Sequence, residues 1–118
     1  MPDGTGMPDE LRVSRDRRAL TVTFGEERHV LPAELLRVES PSAEVQGHDP
    51  SQKRLVAGKR DVRIAALHPT GNYAVRIVFD DGHDTGIFTW DALARFGREG
   101  EAMMAAYETA LIAAGRER

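Results

Sequence analysis

The chain of 118 residues contains no cysteine. This excludes disulfide scaffolds, thiolate zinc fingers, cysteine-ligated iron–sulfur proteins and cysteine-nucleophile enzymes for this chain by itself. The absence of disulfides fits a reducing compartment, and we expect a cytoplasmic protein. No run approaches the roughly 18 apolar residues of a membrane span. The first ten residues, MPDGTGMPDE, lack the basic and apolar regions of a secretory signal.

An excess of basic charge is also missing. The chain has 16 lysines and arginines against 19 acidic residues, a net charge of −3. Proteins that bind nucleic acid through bulk electrostatics usually carry a basic face. We therefore expect neither a nucleic-acid partner nor a membrane partner. Hydrophobic residues at 41% and charged residues at 30% are typical of one soluble globular domain.

The first third of the chain predicts a three-stranded meander followed by a helix. Residues 1–10 hold two prolines, two glycines and three acids, which is typical of a disordered leader. The segment ALTVTF at 19–24 alternates apolar and polar or small residues, the period of a half-buried strand. Apolar segments at 11–13 and 28–31 predict its two neighbours. A helix of one or two turns follows over 32–38, because proline suits the first helical position.

A long loop and a second group of strands come next. Residues 39–60 are rich in proline, glycine and serine and show little periodicity, so they predict a long loop of the kind that tends to be functional. Apolar residues at 62–67 and 73–79 predict two strands, separated by turn-forming residues at 68–72.

The motif Asp-Asp-Gly-His predicts a tight hairpin after the second of these strands. Asp81 and Gly82 suit the centre of a type I′ turn. That turn places His83 opposite Asp80, where a carboxylate would fix the tautomer of the imidazole and raise its basicity. A simple cross-strand ion pair is the alternative. The same register places Val75 opposite Phe88.

Together these elements predict an α+β fold. It has a small antiparallel sheet of five or six strands, a short helix after the first meander and two C-terminal helices. Thr89 caps the first of those helices and Gly97 ends it, and the second spans 101–114. We expect a disordered leader over 1–10, a domain over 11–97 and a C-terminal helix over 98–118.

Few residues suggest chemistry. His48 lies near Glu39 and Glu44, which would supply oxygen ligands to a metal or would simply be solvated. Four basic residues of this region are either solvated charges or parts of one modest basic patch: Lys53, Arg54, Lys59 and Arg60. Serine-nucleophile, dinucleotide-binding and P-loop motifs are all absent. The candidate interaction residues are five in number: His48, Lys53, Arg54, Asp80 and His83.

The segment GNYAVRIVFDDGHDTGIFTWDAL at 71–93 carries a family resemblance, supported by the stretches 31–48 and 58–62. It resembles the small N-terminal domain of γ-butyrobetaine and trimethyllysine dioxygenases, which also occurs alone in many bacteria as a domain of unknown function. The resemblance covers about residues 11–97. The pattern D-G-H-x-x-G-[IF]-[FY]-x-W is specific in combination, although each piece alone is weak.

The resemblance implies a structural zinc held by three cysteines and a histidine. The histidine corresponds to His83, whereas this chain has Ser40, Ser42 and Val45 in the region of the cysteines. Serine is a poor zinc ligand, because it lacks the softness and charge of a thiolate. We therefore expect no cofactor, and the ligands do not support zinc or iron.

The resemblance does not carry dioxygenase activity to this chain. The catalytic iron of those enzymes lies in a separate, larger domain with an H-x-D motif, and no histidine here is followed two residues later by an acid. Similar small domains are also joined to P-loop ATPases implicated in iron–sulfur cluster transfer. The resemblance thus implies an accessory module and adaptor, not an enzyme, that binds an unknown protein partner. The alternatives are a metal-binding protein using His83 with oxygen or histidine ligands, and a small enzyme with an unrecognised site.

Overall fold

A computed structural model describes residues 6–118 of the protein. Six strands and three α-helices follow one another along the chain, with a short 3-10 turn at Pro50–Gln52. In chain order these elements are β1 (Glu10–Val13), β2 (Ala19–Phe24), β3 (Glu27–Pro32), α1 (Ala33–Val38), α2 (Ala43–Gln46), β4 (Ile64–Thr70), β5 (Ala74–Phe79), β6 (Gly86–Thr89) and α3 (Trp90–Ala113). The α+β class and the six strands are confirmed.

The strands form two antiparallel sheets rather than the single sheet that we predicted. Their orders are β1-β2-β3 and β4-β5-β6. Arg17, in the turn between β1 and β2, connects the sheets: the Ile64 amide donates to the Arg17 carbonyl at 2.7 Å. The Arg17 Nε donates back to the Ile64 carbonyl at 2.9 Å. The start of β4 therefore binds a turn of the first sheet instead of pairing with one of its strands.

One core lies among the two sheets, α1 and α3. The alternation in β2 buries Leu20 and Val22 completely, as the period-two pattern indicates. In the second sheet Val75 pairs with Phe88, as predicted. Both belong to the same buried cluster as Leu20 and as Leu93 of α3. The two sheets are thus held together by shared apolar burial.

The C-terminal region forms one helix instead of the two that we predicted. α3 runs through Gly97 without interruption. A Cβ at Gly97 would lie 2.3 Å from Cγ of His29 in β3. The glycine therefore permits close packing of the helix on the first sheet, and does not end the helix. Within residues 6–118, no helix has the length and apolar character that a membrane crossing requires.

Two segments that we predicted as loops contain regular structure. Residues 39–60 include α2 and the 3-10 turn. Asp49 caps the 3-10 turn, because its carboxylate accepts a hydrogen bond from the Ser51 amide at 2.9 Å. β4 extends through Pro69, which we placed in a loop. Proline is tolerated there because β4 is an edge strand, where one face of the backbone needs no ladder hydrogen bond.

The N-terminal segment is described only in part. Residues 1–5 of the predicted leader lie outside the described residues. The Asp9 amide donates to the Thr23 carbonyl at 2.7 Å, and its carboxylate accepts from the Gly25 amide at 2.6 Å. β1 itself begins at Glu10. Pairing with β2 thus starts inside the segment that we assigned to the leader.

The hairpin before β6 has a three-residue loop, so the type I′ prediction is wrong. The Gly82 amide donates to the Phe79 carbonyl at 3.1 Å, and the Phe79 amide donates to the His83 carbonyl at 2.9 Å. Gly82 has φ +94°, whereas Asp81 is not in the left-handed region that a type I′ turn requires. One left-handed glycine at the end of the loop is typical of three-residue hairpins.

Gly82→Ala should destabilise the protein by about 1 kcal/mol, because a Cβ is unfavourable at positive φ. No atom lies within 4 Å of the position of that Cβ, so the cost comes from the backbone alone. Gly82→Asn should lose less, since asparagine adopts the left-handed region more readily. Chemical denaturation of the three proteins measures both differences. Equal stability of the alanine variant and the wild type would contradict this account of the loop.

Candidate functional site

His83 lies at the centre of a polar cluster formed with the buried Ser40 and Ser42 and the exposed Glu44. Its Nε2 is 3.0 Å from the Ser40 hydroxyl and 3.3 Å from the Ser42 hydroxyl. Its Nδ1 is 3.2 Å from the Glu44 carboxylate, and only 4% of its side chain is exposed. We call these four residues the His83 cluster. They bring the hairpin loop into contact with the segment between α1 and α2.

The local structure explains how the serines reach the histidine. Ser40 follows the end of α1, and Ser42 occupies the N-cap position of α2 without capping it, so its hydroxyl is free to face His83. Ser40 packs against Gly86 of β6, where a Cβ would lie 2.3 Å from the Ser40 hydroxyl oxygen. Gly86 therefore makes room for the cluster between the sheet and the helices.

The carboxylate beside His83 is Glu44, not Asp80 as the predicted turn implied. Asp80 is exposed, and its carboxylate accepts from the Arg63 amide at 2.9 Å. The difference follows from the three-residue loop, in which Phe79 rather than Asp80 bonds to His83 through the backbone. Asp80 therefore does not lie opposite His83, as a two-residue turn predicts. The distance from Glu44 to His83 in the sequence explains why sequence analysis did not pair them.

His83 is a neutral imidazole at neutral pH. Burial lowers its pKa below the usual 6.5, and the nearby positive charge of Arg37 lowers it further, against the opposite effect of Glu44. A neutral ring with its proton on Nδ1 leaves Nε2 to accept from a serine hydroxyl. The two hydroxyls thus meet one ring nitrogen, and the Glu44 carboxylate lies 3.2 Å from the other.

Asp81, the next polar residue of the hairpin loop, joins three segments of the chain. Its carboxylate is 2.7 Å from Nε of Arg37 in α1 and 2.7 Å from Nζ of Lys59. It also accepts from the His83 amide at 3.0 Å. Burial by itself would raise the pKa of Asp81, but these hydrogen bonds outweigh it and hold the pKa at about 2, below the usual 3.8.

A cavity of about 530 Å³ opens beside His83. Its wall includes four cationic side chains and one carboxylate: Arg37, Arg54, Lys59, Arg116 and Glu44. We call it the cationic cavity. Sequence analysis recognised part of the basic patch in Lys59 and Arg54 but could not foresee Arg37 or Arg116, because these two join the patch only in the folded chain.

The other candidate interaction residues occupy the surface. His48, Lys53 and Arg54 are exposed, and Lys53 pairs with Glu39 at 2.6 Å. His48 is not a member of the His83 cluster. His83 is buried, so of the five candidate interaction residues it is the one that a partner cannot contact directly.

The His83 cluster does not supply the donor set of the zinc site that the resemblance implies. The two serines converge on His83 as the missing cysteines would, and Val45 lines the same cavity as His83. The donors, however, are neutral hydroxyls 3.4 Å apart, closer than the roughly 3.8 Å between thiolates around tetrahedral zinc. Within the described residues, no group of three histidine or acidic side chains is placed to hold a metal ion.

The sequence of contacts from Ser40 through His83 to Glu44 has the order of a nucleophile, a base and an orienting acid. Sequence analysis found no such constellation. Ser40 is 0% exposed and Ser42 is 5% exposed. A nucleophile with no exposed surface does not reach a substrate, so the burial favours a structural role for these hydroxyls.

Comparison with known families and structures supports the resemblance. The family model described as "Gamma-butyrobetaine hydroxylase-like, N-terminal" matches residues 11–94. The chain belongs to this family. The match includes α1, both sheets, the His83 cluster and Asp81.

Three solved structures are similar to the chain. Two are NMR solution structures, each with a TM-score of 0.84. The first is 42% identical, and the match covers 98% of this chain and 91% of that chain. The second is 41% identical, and the match covers 100% of this chain and 89% of that chain. The third is a crystal structure of a protein of unknown function of the DUF971 family from Acidithiobacillus ferrooxidans, with a TM-score of 0.66 and 36% identity over 81% of this chain and 98% of that chain. No functionally curated protein matched. These structures therefore support the membership of the chain in this family, and their descriptions state no function.

Purified wild-type protein should hold far less than one zinc per chain, because serine hydroxyls do not replace thiolates. The triple variant Ser40→Cys/Ser42→Cys/Val45→Cys should bind about one zinc with His83, and adding His83→Gln should weaken that binding. Elemental analysis after dialysis measures the metal content. Stoichiometric zinc in the dialysed wild type would contradict this account of the cluster.

Asp81→Asn should lower the free energy of unfolding at pH 7 by about 1–2 kcal/mol, a value reduced for solvent screening. The pKa of Asp81 is lower in the folded protein than the usual 3.8, so its contribution is complete above about pH 4 and is lost as the pH falls through about 2. Urea denaturation should therefore show the two proteins converging at low pH.

The matched control for this test is Asp61→Asn. The Asp61 side chain is 85% exposed and contacts Arg18 at the surface, so its loss should change stability by less than about 0.5 kcal/mol. A difference between Asp81→Asn and wild type that stays constant from pH 7 to pH 2.5 would show that the ion pairs do not stabilise the fold.

Proposed function

We propose that the chain is a non-catalytic accessory module that binds a partner protein through the exposed segment 48–54. The observation that carries this proposal is the burial of Ser40, Ser42 and His83. Of the groups with the order of a catalytic constellation, the hydroxyl and the imidazole are buried and hydrogen-bonded to each other, and Ser40 has no exposed surface. The chemistry that faces solvent is cationic and polar, which suits recognition rather than catalysis.

The segment 48–54 is held in a defined shape although it is exposed. The His48 amide donates to the Gln52 side chain at 2.8 Å, and the Arg54 amide donates to the Val45 carbonyl at 2.7 Å. The Arg54 side chain makes no hydrogen bond or ion pair with any residue from 6 to 118. An ordered backbone that presents an unpaired guanidinium loses little conformational freedom on binding, which favours association.

The class of partner rests on the family resemblance alone. Domains of this kind occur joined to P-loop ATPases implicated in iron–sulfur cluster transfer, and we therefore propose an adaptor for an iron–sulfur or other metalloenzyme system in the cytoplasm. This is an argument by association, since a fold does not determine a function. The metal-binding alternative has less support, because His83 meets a single carboxylate, Glu44.

Two triple variants test the proposed surface. The first is His48→Ala/Lys53→Ala/Arg54→Ala. The control is Arg12→Ala/Arg28→Ala/His68→Ala, which also removes two exposed cations and one exposed histidine. Both should keep the melting behaviour of the wild type, because substitutions of solvated residues cost within about 0.5 kcal/mol.

The partner is first identified by cross-linking to the wild type in cells and is then purified. Calorimetric titration should show at least a tenfold loss of affinity for the first variant and less than a twofold change for the control. Equal affinity of the two variants would remove segment 48–54 from the contact surface. Failure of wild type to cross-link any protein would contradict the accessory function.

A further inference from the structure

The cationic cavity carries positive charge in a protein whose net charge is −3. Four basic side chains and one carboxylate contribute to its wall. Its volume of about 530 Å³ lies within the range of sites that hold small molecules, about 300–1,000 Å³. The charge is thus concentrated at a concave surface of suitable size.

The carboxylates of Glu44 and Asp81 offset only part of this positive charge. Arg37 and Lys59 share the single carboxylate of Asp81. The Arg54 side chain has no partner among the described residues, and Arg116 donates to an uncharged group, the Leu55 carbonyl, at 2.8 Å. Arg37 retains a buried donor, Nη1, without a hydrogen-bond partner in the described part of the chain. Cations that line one cavity repel one another, and an anion bound among them relieves that repulsion.

The remaining wall is apolar. Val45, Leu55, Val56 and Ala57 line the same cavity. Such a surface offers no hydrogen bonds to a free inorganic ion but packs against the hydrocarbon part of an organic molecule. The cavity therefore combines a cationic side with an apolar side.

We propose that the cationic cavity binds a small organic anion that carries two or more negative charges on phosphate or carboxylate groups. Arg54 and Arg116 form no ion pair with any residue from 6 to 118, and guanidinium groups bind such oxyanions in paired, charge-assisted hydrogen bonds. The apolar side accommodates the carbon skeleton. This site does not depend on the binding of a partner protein.

The test uses two probes, inorganic pyrophosphate and citrate, titrated into the wild type and followed by NMR in 0.15 M salt. Either probe should saturate one site and shift the amides of residues 54–59 and 83. Arg54→Gln should weaken the binding by about fivefold or more, as expected for a charge-assisted contact. Arg12→Gln alters the net charge equally but lies outside the cavity, and it should change the affinity by less than twofold.

Three results would overturn the proposal. The first is the absence of saturable binding of either probe at 10 mM. The second is an equal loss of affinity in Arg54→Gln and Arg12→Gln. The third is binding of a further probe, hexaglutamate, without binding of pyrophosphate or citrate, which would mean that an acidic peptide is the ligand. The two probes also distinguish which acidic group the site prefers. Tighter binding of pyrophosphate indicates a phosphate group on the natural anion, and tighter binding of citrate indicates carboxylate groups.

The variant His48→Ala/Lys53→Ala keeps this test distinct from that of partner binding. Neither residue lines the cationic cavity. The variant should bind pyrophosphate or citrate as the wild type does, even where its affinity for a partner protein falls. Loss of anion binding in this variant would place the anion outside the cavity and contradict the proposed site.

Discussion

The Asp81 carboxylate holds the hairpin loop before β6 to α1 and to the connection before β4. One side chain from a hairpin loop binds Arg37 of α1, Lys59 of the long connection and the amide of His83. These groups come from three separate parts of the chain, so the position of each depends on one anion. Burial disfavours the charged form of the carboxylate, whereas hydrogen bonds from the three donors favour it. Because the hydrogen bonds outweigh burial, the pKa of Asp81 is held at about 2.

The His83 cluster depends on this arrangement. The amide of His83 is bound by Asp81, and the imidazole is thereby held against Ser40, Ser42 and Glu44. A buried imidazole is costly unless its nitrogens meet polar groups; here two hydroxyls meet Nε2, and the Glu44 carboxylate lies 3.2 Å from Nδ1. Where the resemblance implies thiolates and a metal, the two serines contact His83 by hydrogen bonds. The cationic cavity lies beside this cluster.

Local patterns predicted much of the fold. The predictions of the alternation in β2 and of the Thr89 cap of α3 are confirmed, because each depends on neighbours in the sequence. Pro32 ends β3 and precedes α1 as its N-cap residue, one position before the helical position that we predict for it. The prediction that Gly97 ends a helix is wrong, since the reason for that glycine is the ring of His29, 68 residues away in the chain. The predicted class of the turn at Gly82 is wrong because positive φ at one residue or at two leaves the same Asp-Gly signal.

The sequence by itself determined the α+β class, a range of five or six strands, the family and the place of His83 in the hairpin after β5. Only the tertiary structure decided which groups surround that histidine, that Asp81 joins Arg37 to Lys59, and that basic residues far apart in the chain line one cavity. The physical reason is the range of the forces involved. Periodicity and capping act over a few residues, whereas ion pairs and buried hydrogen bonds depend on distances that exist only after the two sheets and α1 have packed.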